Sequence, residues 1–256
     1  MKKRYGQHFI SDRNILQRIV NLAHIASEDT VIEIGPGTGT LTRELAAAAK
    51  RVVAVEIDRD LIASLRVNVP GNVEIVEGDA LDVNFEELAE GPFHIVGNLP
   101  YNVATTLLRR FIEGRRRISE VTVMLQKEVA ERILATPSTR DYGPLSVLVQ
   151  YYAAPTLGFT VPPGAFTPPP KVDSAVIRLD WKPGVPDFPA FTDFVHRAFS
   201  SRRKKLVNNL GAILHSCSKD ELAELLRDSG IPLDARAETL SVEDFLRVYN
   251  RTSLLR

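Results

Sequence analysis

Short apolar runs alternate with helical patterns through the first half of the chain. The runs are rich in Val and Ile and lack a polar alternation, which is typical of strands covered on both faces of a sheet. They predict strands at Thr30–Ile34, Val52–Val55, Val73–Val76, Phe93–Gly97 and Val121–Leu125. The 3.6-residue period predicts helices at Ile15–Ala23 (capped by Ser11 or Asp12), Leu41–Ala49, Asp58–Asn68, Val103–Ile112 and Lys127–Leu134. Repeated strand–helix units predict a parallel sheet.

The pattern changes after Leu134. The apolar runs Leu145–Tyr152 and Ser174–Trp181 predict two late strands, and the proline- and glycine-rich segment Pro155–Pro170 between them is too long for a hairpin turn. Ala135–Gly143 predicts an exposed loop. Two strands added to five strand–helix units predict a seven-stranded, mostly parallel sheet with an antiparallel edge.

A domain boundary is predicted at Lys182–Pro186, which is rich in proline and glycine. The chain beyond it has a helical pattern, with capping boxes at Ser218/Glu221 and Ser241/Asp244. The predicted fold is therefore α/β, with a Rossmann-like domain over residues 1–182 and a small all-α domain over residues 187–256.

A glycine-rich turn, Gly35–Gly39, follows the first of these strands and opens a helix. Glycines there let a ligand approach the backbone at the carboxyl edge of a parallel sheet. Glu56 and Asp79 follow the next two strands, where they can accept hydrogen bonds from a ribose and an adenine amino group. Each acid alone is as readily a solvated strand end, but three features at one edge favour a nucleoside site. With Glu33 two residues ahead, the glycine spacing differs from the dinucleotide G-x-G-x-x-G and resembles the S-adenosylmethionine loop of class I methyltransferases.

The tetrapeptide Asn98-Leu99-Pro100-Tyr101 ends the fourth of these strands, beside the expected methyl donor. The exocyclic amine of adenine is a poor nucleophile, and an amide oxygen with a backbone carbonyl can accept from it and direct its lone pair. Pro100 removes a competing donor, and Tyr101 offers a face for base stacking. The pattern resembles that of amino-group methyltransferases, which indicates the reaction but leaves adenine, cytosine and glutamine open as substrates.

Two further features bear on the substrate. Phe166 precedes a stiff triple-proline segment and could stack on a flipped base opposite Tyr101. Cationic side chains cluster at Arg109, Arg110, Arg115, Arg116 and Arg117, and again at Arg202, Arg203, Lys204 and Lys205. Such clusters indicate nucleic acid or, as readily, solvated helix ends, and the balance of 32 cationic and 32 acidic residues mildly disfavours nucleic acid.

Taken together, the chain resembles the ribosomal RNA adenine dimethyltransferases of the KsgA family. The matching segments are GQHFISD, EIGPGTGTLT, VVAVEIDRDL, EGDAL, GNLPYN, MLQKEVAERI, YGPLSVLVQYY, AFTPPPKVDSAV and SRRKKLVNNL. Two positions depart from the family pattern: His8 replaces the usual Asn, and Val207 replaces a common Arg.

The resemblance implies a class I methyltransferase domain, a helical domain that binds RNA or ribosome, and S-adenosyl-L-methionine as cofactor. It implies cofactor contacts at His8, Ile10, Gly35, Gly37, Glu56, Ile57, Asp79, Ala80 and Asn98, target-base contacts at Asn98, Leu99, Pro100, Tyr101 and Phe166, and Lys171 with the two basic clusters as the RNA-binding set. No metal is expected. The implied reaction is N6-dimethylation of two adjacent adenosines in the 3′-terminal hairpin of small-subunit (16S) ribosomal RNA.

The expected setting is a cytoplasmic monomer that acts on a 30S-type particle during ribosome biogenesis, without a membrane partner. A single cysteine, Cys217, excludes an intrachain disulfide and fits a reducing compartment. No apolar run approaches the roughly 20 residues of a membrane span.

Three alternatives compete with this interpretation. The macrolide-resistance methyltransferases of large-subunit RNA share the loop and fold, but Leu99 and the triple proline argue against them. A non-catalytic assembly factor would retain the fold, but Glu56 and Asp79 are intact. A dehydrogenase is disfavoured by the glycine spacing.

Overall fold

The computed structural model of the chain describes residues 8–186, 189–214 and 217–252. The strands are β1 (Phe9–Ile10), β2 (Thr30–Ile34), β3 (Arg51–Glu56), β4 (Val73–Glu77), β5 (Phe93–Asn98), β6 (Ile118–Gln126), β7 (Ala153–Val161), β8 (Phe166–Thr167) and β9 (Ser174–Trp181). The helices are α1 (Arg13–Leu22), α2 (Thr40–Ala48), α3 (Arg59–Asn68), α4 (Ala104–Glu113), α5 (Lys127–Leu134), α6 (Pro144–Tyr152), α7 (Pro189–Ala198), α8 (Leu206–Gly211), α9 (Lys219–Asp228) and α10 (Val242–Thr252). The predicted domain limits at residues 1, 187 and 256 lie outside the described residues.

The main sheet has seven strands in the order β4-β3-β2-β5-β6-β9-β7. The first five strands in this order, β4, β3, β2, β5 and β6, pair in parallel, and β9 pairs antiparallel to β6. This confirms the predicted seven-stranded, mostly parallel sheet. The strand order reverses at β2, because the chain passes from β2 to β3 on one side and later to β5 on the other. A ligand crevice is expected at the carboxyl ends of β2 and β5.

One predicted strand is wrong. Leu145–Tyr152 forms α6, and the strand lies instead at Ala153–Val161, inside the segment expected to be irregular. The apolar run is buried on several sides, so its composition does not separate strand from helix. Local signals decide the outcome, because Pro144 occupies the first turn and the Ser146 hydroxyl accepts from the Gly143 N–H at 3.0 Å.

The chain divides into two compact units. The first holds the sheet and contains the chain up to Ala130 together with Ala154–Trp181. The second is helical and contains Glu131–Ala153 together with the chain from Lys182 onward. The boundary after Trp181 lies next to the predicted linker. The sequence did not predict that residues 131–153 belong to the helical unit.

Buried contacts hold residues 131–153 within the helical unit. The Tyr142 side chain is fully buried and its hydroxyl donates to the Leu240 carbonyl at 2.8 Å. Ser138 N–H donates to the Glu238 carbonyl at 2.8 Å, and Tyr151 packs against Phe191 with ring centroids 5.0 Å apart. Both predicted capping boxes are present at α9 and α10.

A second, two-stranded sheet lies in the first unit. β1 pairs antiparallel with β8, with Phe9 opposite Thr167 and Ile10 opposite Phe166. Thr40 at the start of α2 donates its hydroxyl to the Ile10 carbonyl at 2.8 Å. The N-terminal ribbon is therefore fixed to the helix that follows the glycine-rich turn.

Candidate active site

A cavity of about 590 Å³ opens at the carboxyl edge of the main sheet. Its walls are the turn after β2, the residues that end β3, β4 and β5, and the β1 ribbon from His8 to Ile10. These are the elements that meet where the strand order reverses, so the fold alone brings the predicted cofactor residues together. The cavity is lined by His8, Ile10, Gly35, Gly37, Glu56, Ile57, Asp79, Ala80, Asn98, Leu99, Pro100 and Tyr101 from the predicted set.

The glycine-rich turn depends on left-handed backbone. Gly35 has φ +68° and Gly37 has φ +59°, a region that disfavours residues with a Cβ. A Cβ on Gly37 would also lie 2.7 Å from two ring carbons of Phe9. Phe9 was not among the predicted site residues, and it closes the turn from the ribbon side.

Glu56 is buried and held by main-chain donors. Its Oε2 accepts from Gly37 N–H at 3.1 Å and its Oε1 accepts from Asp58 N–H at 2.9 Å. Burial raises the pKa of this carboxyl, and the backbone donors oppose that change. Each oxygen keeps a further lone pair, so the carboxylate can still accept from a ligand hydroxyl.

Glu33 is the unexpected member of the site. It lines the cavity, only 1% of the residue is exposed, and its Oε2 accepts no hydrogen bond from any residue that the structure describes. Burial, opposed by the adjacent Thr42 hydroxyl and reinforced by the nearby Glu56 charge, raises the pKa of Glu33 to about 8. A buried oxygen without a partner that faces a cavity indicates a ligand donor at that point.

Asp79 shapes the loop that follows β4. Its Oδ1 accepts from Leu81 N–H at 2.8 Å, and its carbonyl accepts from Val83 N–H at 2.9 Å. Ala80 lines the same wall, and Ile57 on the opposite loop is 39% exposed. A flat heteroaromatic ring could therefore lie between apolar groups and meet a carboxylate at its edge.

Asn98 is oriented from the N-terminal ribbon. Its Nδ2 donates to the His8 carbonyl at 2.9 Å. A carbonyl can only accept, so this bond identifies the amide nitrogen and leaves Oδ1 as an acceptor for a substrate. Leu99 is buried and its N–H donates to the Met124 carbonyl at 2.9 Å, which fixes the backbone of the tetrapeptide.

Three rings meet beside the tetrapeptide. Tyr101 is held by a 2.7 Å hydrogen bond between its hydroxyl and the Ser174 hydroxyl. The His8 ring stacks on Tyr101 at 5.8 Å and meets Phe166 edge-on at 6.4 Å, and its Nδ1–H donates to the Pro168 carbonyl at 2.7 Å. Phe166 is 3% exposed and does not line the cavity. The His8 ring therefore contacts both Tyr101 and Phe166, the two rings between which the sequence predicted a stacked base.

The first basic cluster is used largely within the protein. Arg110 donates to the Ala80 and Val83 carbonyls, and Arg117 donates to the Ala89 and Gly91 carbonyls. These two guanidinium groups are half-buried and bind main-chain carbonyls, whereas the sequence predicted that they bind RNA phosphates.

The other predicted RNA-binding residues differ in exposure. Arg115 and Arg116 also have intramolecular partners, and the exposed Arg109 pairs with Glu113 at 3.0 Å. In the helical unit, Arg202 donates to Glu238 at 3.2 Å and to the Arg140 carbonyl at 2.9 Å. In the same predicted cluster, Arg203, Lys204 and Lys205 are exposed and make no ion pair with any described residue. Lys171 is exposed in the first unit.

The described residues contain no cluster of His, Cys, Asp and Glu suited to a metal ion. Among the described helices, none is long and apolar enough to cross a membrane.

Comparison with known proteins identifies the family. Residues 1–253 match the family described as Ribosomal RNA adenine dimethylase. The chain belongs to this family. It is 41% identical to the Ribosomal RNA small subunit methyltransferase A of Moorella thermoacetica, over 96% of this chain and 91% of the relative. Identity to the protein of the same name from Acinetobacter baylyi is 44%, over 96% of this chain and 90% of the relative.

Solved structures of similar enzymes share the fold. A dimethyladenosine transferase from Plasmodium falciparum matches with a TM-score of 0.85 and 27% identity, covering 96% of this chain and 98% of that one. The 23S rRNA methyltransferase ErmE matches with a TM-score of 0.74 and 29% identity, over 96% of this chain and 99% of that one. The family member described here is thus a class I methyltransferase that uses S-adenosyl-L-methionine to methylate adenine in small-subunit ribosomal RNA.

The cavity fits that cofactor on observations of this structure. The ammonium group of S-adenosylmethionine would supply the missing partner of Glu33 Oε2. Gly37 leaves no room for a Cβ next to Phe9, so the main chain itself forms this wall. Acceptors at Glu56 and Asp79 match the ribose and adenine donors of the cofactor.

Proposed function

We propose that the enzyme dimethylates the N6 amines of two adjacent adenosines in the 3′-terminal hairpin of 16S ribosomal RNA. The substrate would be a 30S-type particle during ribosome biogenesis, and the enzyme would act as a cytoplasmic monomer. The observation that carries the proposal is the orientation of Asn98, whose Nδ2 is held by His8 so that Oδ1 remains to accept from an amine.

The residues around this amide have complementary roles in the proposal. When bound, the cofactor supplies an electrophilic methyl group. Asn98 Oδ1 accepts a hydrogen bond from the target amine and favours the pyramidal nitrogen that can attack. Tyr101 provides a stacking face that Ser174 fixes in place, worth roughly 1–3 kcal/mol for a base. Alignment supplies most of the acceleration, and no strong general base is needed because the methylated amine loses its proton readily.

We propose the same cofactor contacts as the sequence predicts, and we add Glu33. Glu56 would accept from the ribose, Asp79 and Ala80 would meet the adenine opposite Ile57, and the backbone at Gly35 and Gly37 would approach the donor. Glu33 is the addition, as the partner of the ammonium group. His8 and Ile10 would act mainly through main-chain contacts to Asn98 and Thr40.

For Phe166 we propose an indirect role in place of the direct base contact that the sequence predicts. Because its ring is buried against His8, we propose that Phe166 supports the His8 ring and that Tyr101 is the direct stacking surface. Leu99 and Pro100 would complete the wall, since the Leu99 main chain is fixed by β6.

The proposed RNA-binding residues are the exposed cations. Arg203, Lys204 and Lys205 would contact phosphates from the helical unit, which we therefore propose as the RNA- and ribosome-binding domain. Lys171 and Arg109 would contribute from the methyltransferase unit. Arg202 would hold the segment 202–205 in place and would not bind RNA itself, because its guanidinium donates to Glu238 and to two carbonyls.

A transfer assay with labelled S-adenosylmethionine tests the proposal. Unmodified small-subunit particles, small-subunit RNA without proteins and large-subunit RNA are offered in parallel, with Asn98→Ala as the matched inactive control. Label in small-subunit particles alone supports the proposal. Label in large-subunit RNA, or equal labelling by Asn98→Ala, would contradict it.

A further inference from the structure

Arg110 connects the helix that follows the tetrapeptide Asn98–Tyr101 to the loop that follows β4. It lies on α4, the helix that begins three residues after Tyr101, and its side chain reaches the loop after β4. Nη1 donates to the Ala80 carbonyl at 2.5 Å and Nη2 donates to the Val83 carbonyl at 2.8 Å. The guanidinium carbon also lies 5.0 Å from the centre of the Phe85 ring.

The loop that Arg110 holds lines the cofactor cavity through Gly78, Asp79 and Ala80. Its upstream end is fixed by Gly78 N–H, which donates to the Glu56 carbonyl at 2.9 Å. Its downstream end relies on Asp79, whose carbonyl and Oδ1 accept from Val83 and Leu81. The Ala80 and Val83 carbonyls of this loop both accept hydrogen bonds from Arg110.

No acidic side chain competes for this guanidinium among the residues that the structure describes. Its charge is therefore directed at the two carbonyls, and charge-assisted bonds of this kind are about twice as strong as neutral ones. A forked guanidinium can bridge two acceptors, whereas a lysine ammonium is a single point of charge.

We propose that Arg110 is a positioning residue for cofactor binding, which presents Asp79 and Ala80 to the adenine and ties this loop to the helix that follows the target-base tetrapeptide. This rests on the proposed function, because it takes Asp79 and Ala80 as the adenine contacts. It also removes Arg110 from the RNA-binding set.

The consequence falls on the affinity for the cofactor. Without Arg110, the loop loses two of the hydrogen bonds that hold it, so part of the binding free energy is used to order it. We expect Arg110→Ala to weaken binding of S-adenosylhomocysteine, the stable product, by about tenfold, equivalent to ~1.4 kcal/mol. Arg110→Lys should recover only part of this loss, because it keeps the charge without the fork.

Calorimetric titration of the full-length protein with S-adenosylhomocysteine tests the proposal. Arg66→Ala is the matched control, since Arg66 is an exposed arginine in the last turn of α3, belongs to the same unit and does not line the cavity. We expect the control to bind within twofold of wild type. In turnover, Arg110→Ala should raise the KM for S-adenosylmethionine while kcat at saturating cofactor stays close to wild type, a separation that general loss of structure would not produce.

Binding of small-subunit particles completes the design. Arg110→Ala should leave particle affinity and its salt dependence unchanged, whereas a phosphate contact would reduce the salt slope. Wild-type product affinity in Arg110→Ala, or a loss of particle binding without loss of cofactor binding, would overturn the proposal. If Arg110→Ala does not fold, Arg110→Lys decides, and wild-type affinity there overturns it. A wild type that binds product but labels no small-subunit particle would refute the proposed function alone.

Discussion

Replacement of Glu33 by Gln separates the stability of the site from its function. The Glu33 carboxyl is buried, has an oxygen without a partner among the described residues, and has a pKa raised to about 8. The folded protein therefore retains a proton that the unfolded chain releases near the ordinary value of 4.5. Stability is greatest below that value and falls as the pH rises toward 8. Glutamine has nearly the same shape and stays neutral throughout.

The magnitude follows from the two pKa values. Because the unfolded chain ionises Glu33 while the folded protein keeps the proton, the free energy of unfolding falls by on the order of 3 kcal/mol between pH 4.5 and pH 7, and by about 4–5 kcal/mol above pH 8, where Glu33 is ionised in both states. Glu33→Gln should abolish this loss and be more stable than wild type at neutral pH without cofactor. It should bind S-adenosylmethionine more weakly, because the ammonium group loses an ionised partner.

Urea unfolding between about pH 5 and pH 9 measures the effect. The chain has a single tryptophan, Trp181 in β9, whose fluorescence reports on the unit that contains the site. Glu120, with a pKa raised by burial to about 7, contributes a slope of the same sign, and His94, whose pKa burial lowers, contributes the opposite sign. Both are present in wild type and variant, so the difference between the curves isolates Glu33. Parallel curves would refute the assigned charge state.

Three further predictions concern the proposed substrate contacts. Asn98→Ala should lower kcat by on the order of 10²–10³ while most cofactor affinity remains, measured by single turnover and calorimetry, and unchanged turnover would remove Asn98 from its role. Tyr101→Phe should retain most activity because stacking persists, whereas Tyr101→Ala should raise the KM for particles, and equal effects of the two would argue against stacking. Replacing Arg203, Lys204 and Lys205 together by Ala should reduce the slope of log K against log salt by about 2–3. An unchanged slope would place the RNA contacts elsewhere.

Much of the sheet and the cofactor edge could be predicted from the sequence, because local rules determine them. Val- and Ile-rich runs, the glycine turn and strand-end acids all follow chain order, and parallel strands bring their carboxyl ends to one edge. Of the two predicted caps of α1, Ser11 and Asp12, the structure uses Asp12, and the predicted cap Asp58 of α3 is also observed. These features depend on neighbours within a few residues.

The composition of Leu145–Tyr152 suits helix and strand alike, and the adjacent Pro144 and the bond between Gly143 and Ser146 favour the helix. Other features that the sequence did not predict depend on distant contacts. The Asn98 bond to His8 joins residues far apart in the chain, and nothing in their spacing reveals it. Arg110 and Arg117 look like a phosphate-binding cluster in sequence, but their carbonyl partners are contributed by loops that precede the helix. Glu33 does have a signal in the sequence, because it is the single acid of the strand Thr30–Ile34 and directly precedes the glycine-rich turn.

The most direct test of the account is nucleoside mass spectrometry of the 3′-terminal hairpin, after unmodified small-subunit particles are incubated with enzyme and S-adenosylmethionine. We expect dimethyladenosine at two adjacent positions with wild type and, over the same short incubation, almost entirely unmodified adenosines with Asn98→Ala. Dimethyladenosine elsewhere in the RNA, or modification of the hairpin by Asn98→Ala at the wild-type rate, would contradict the account.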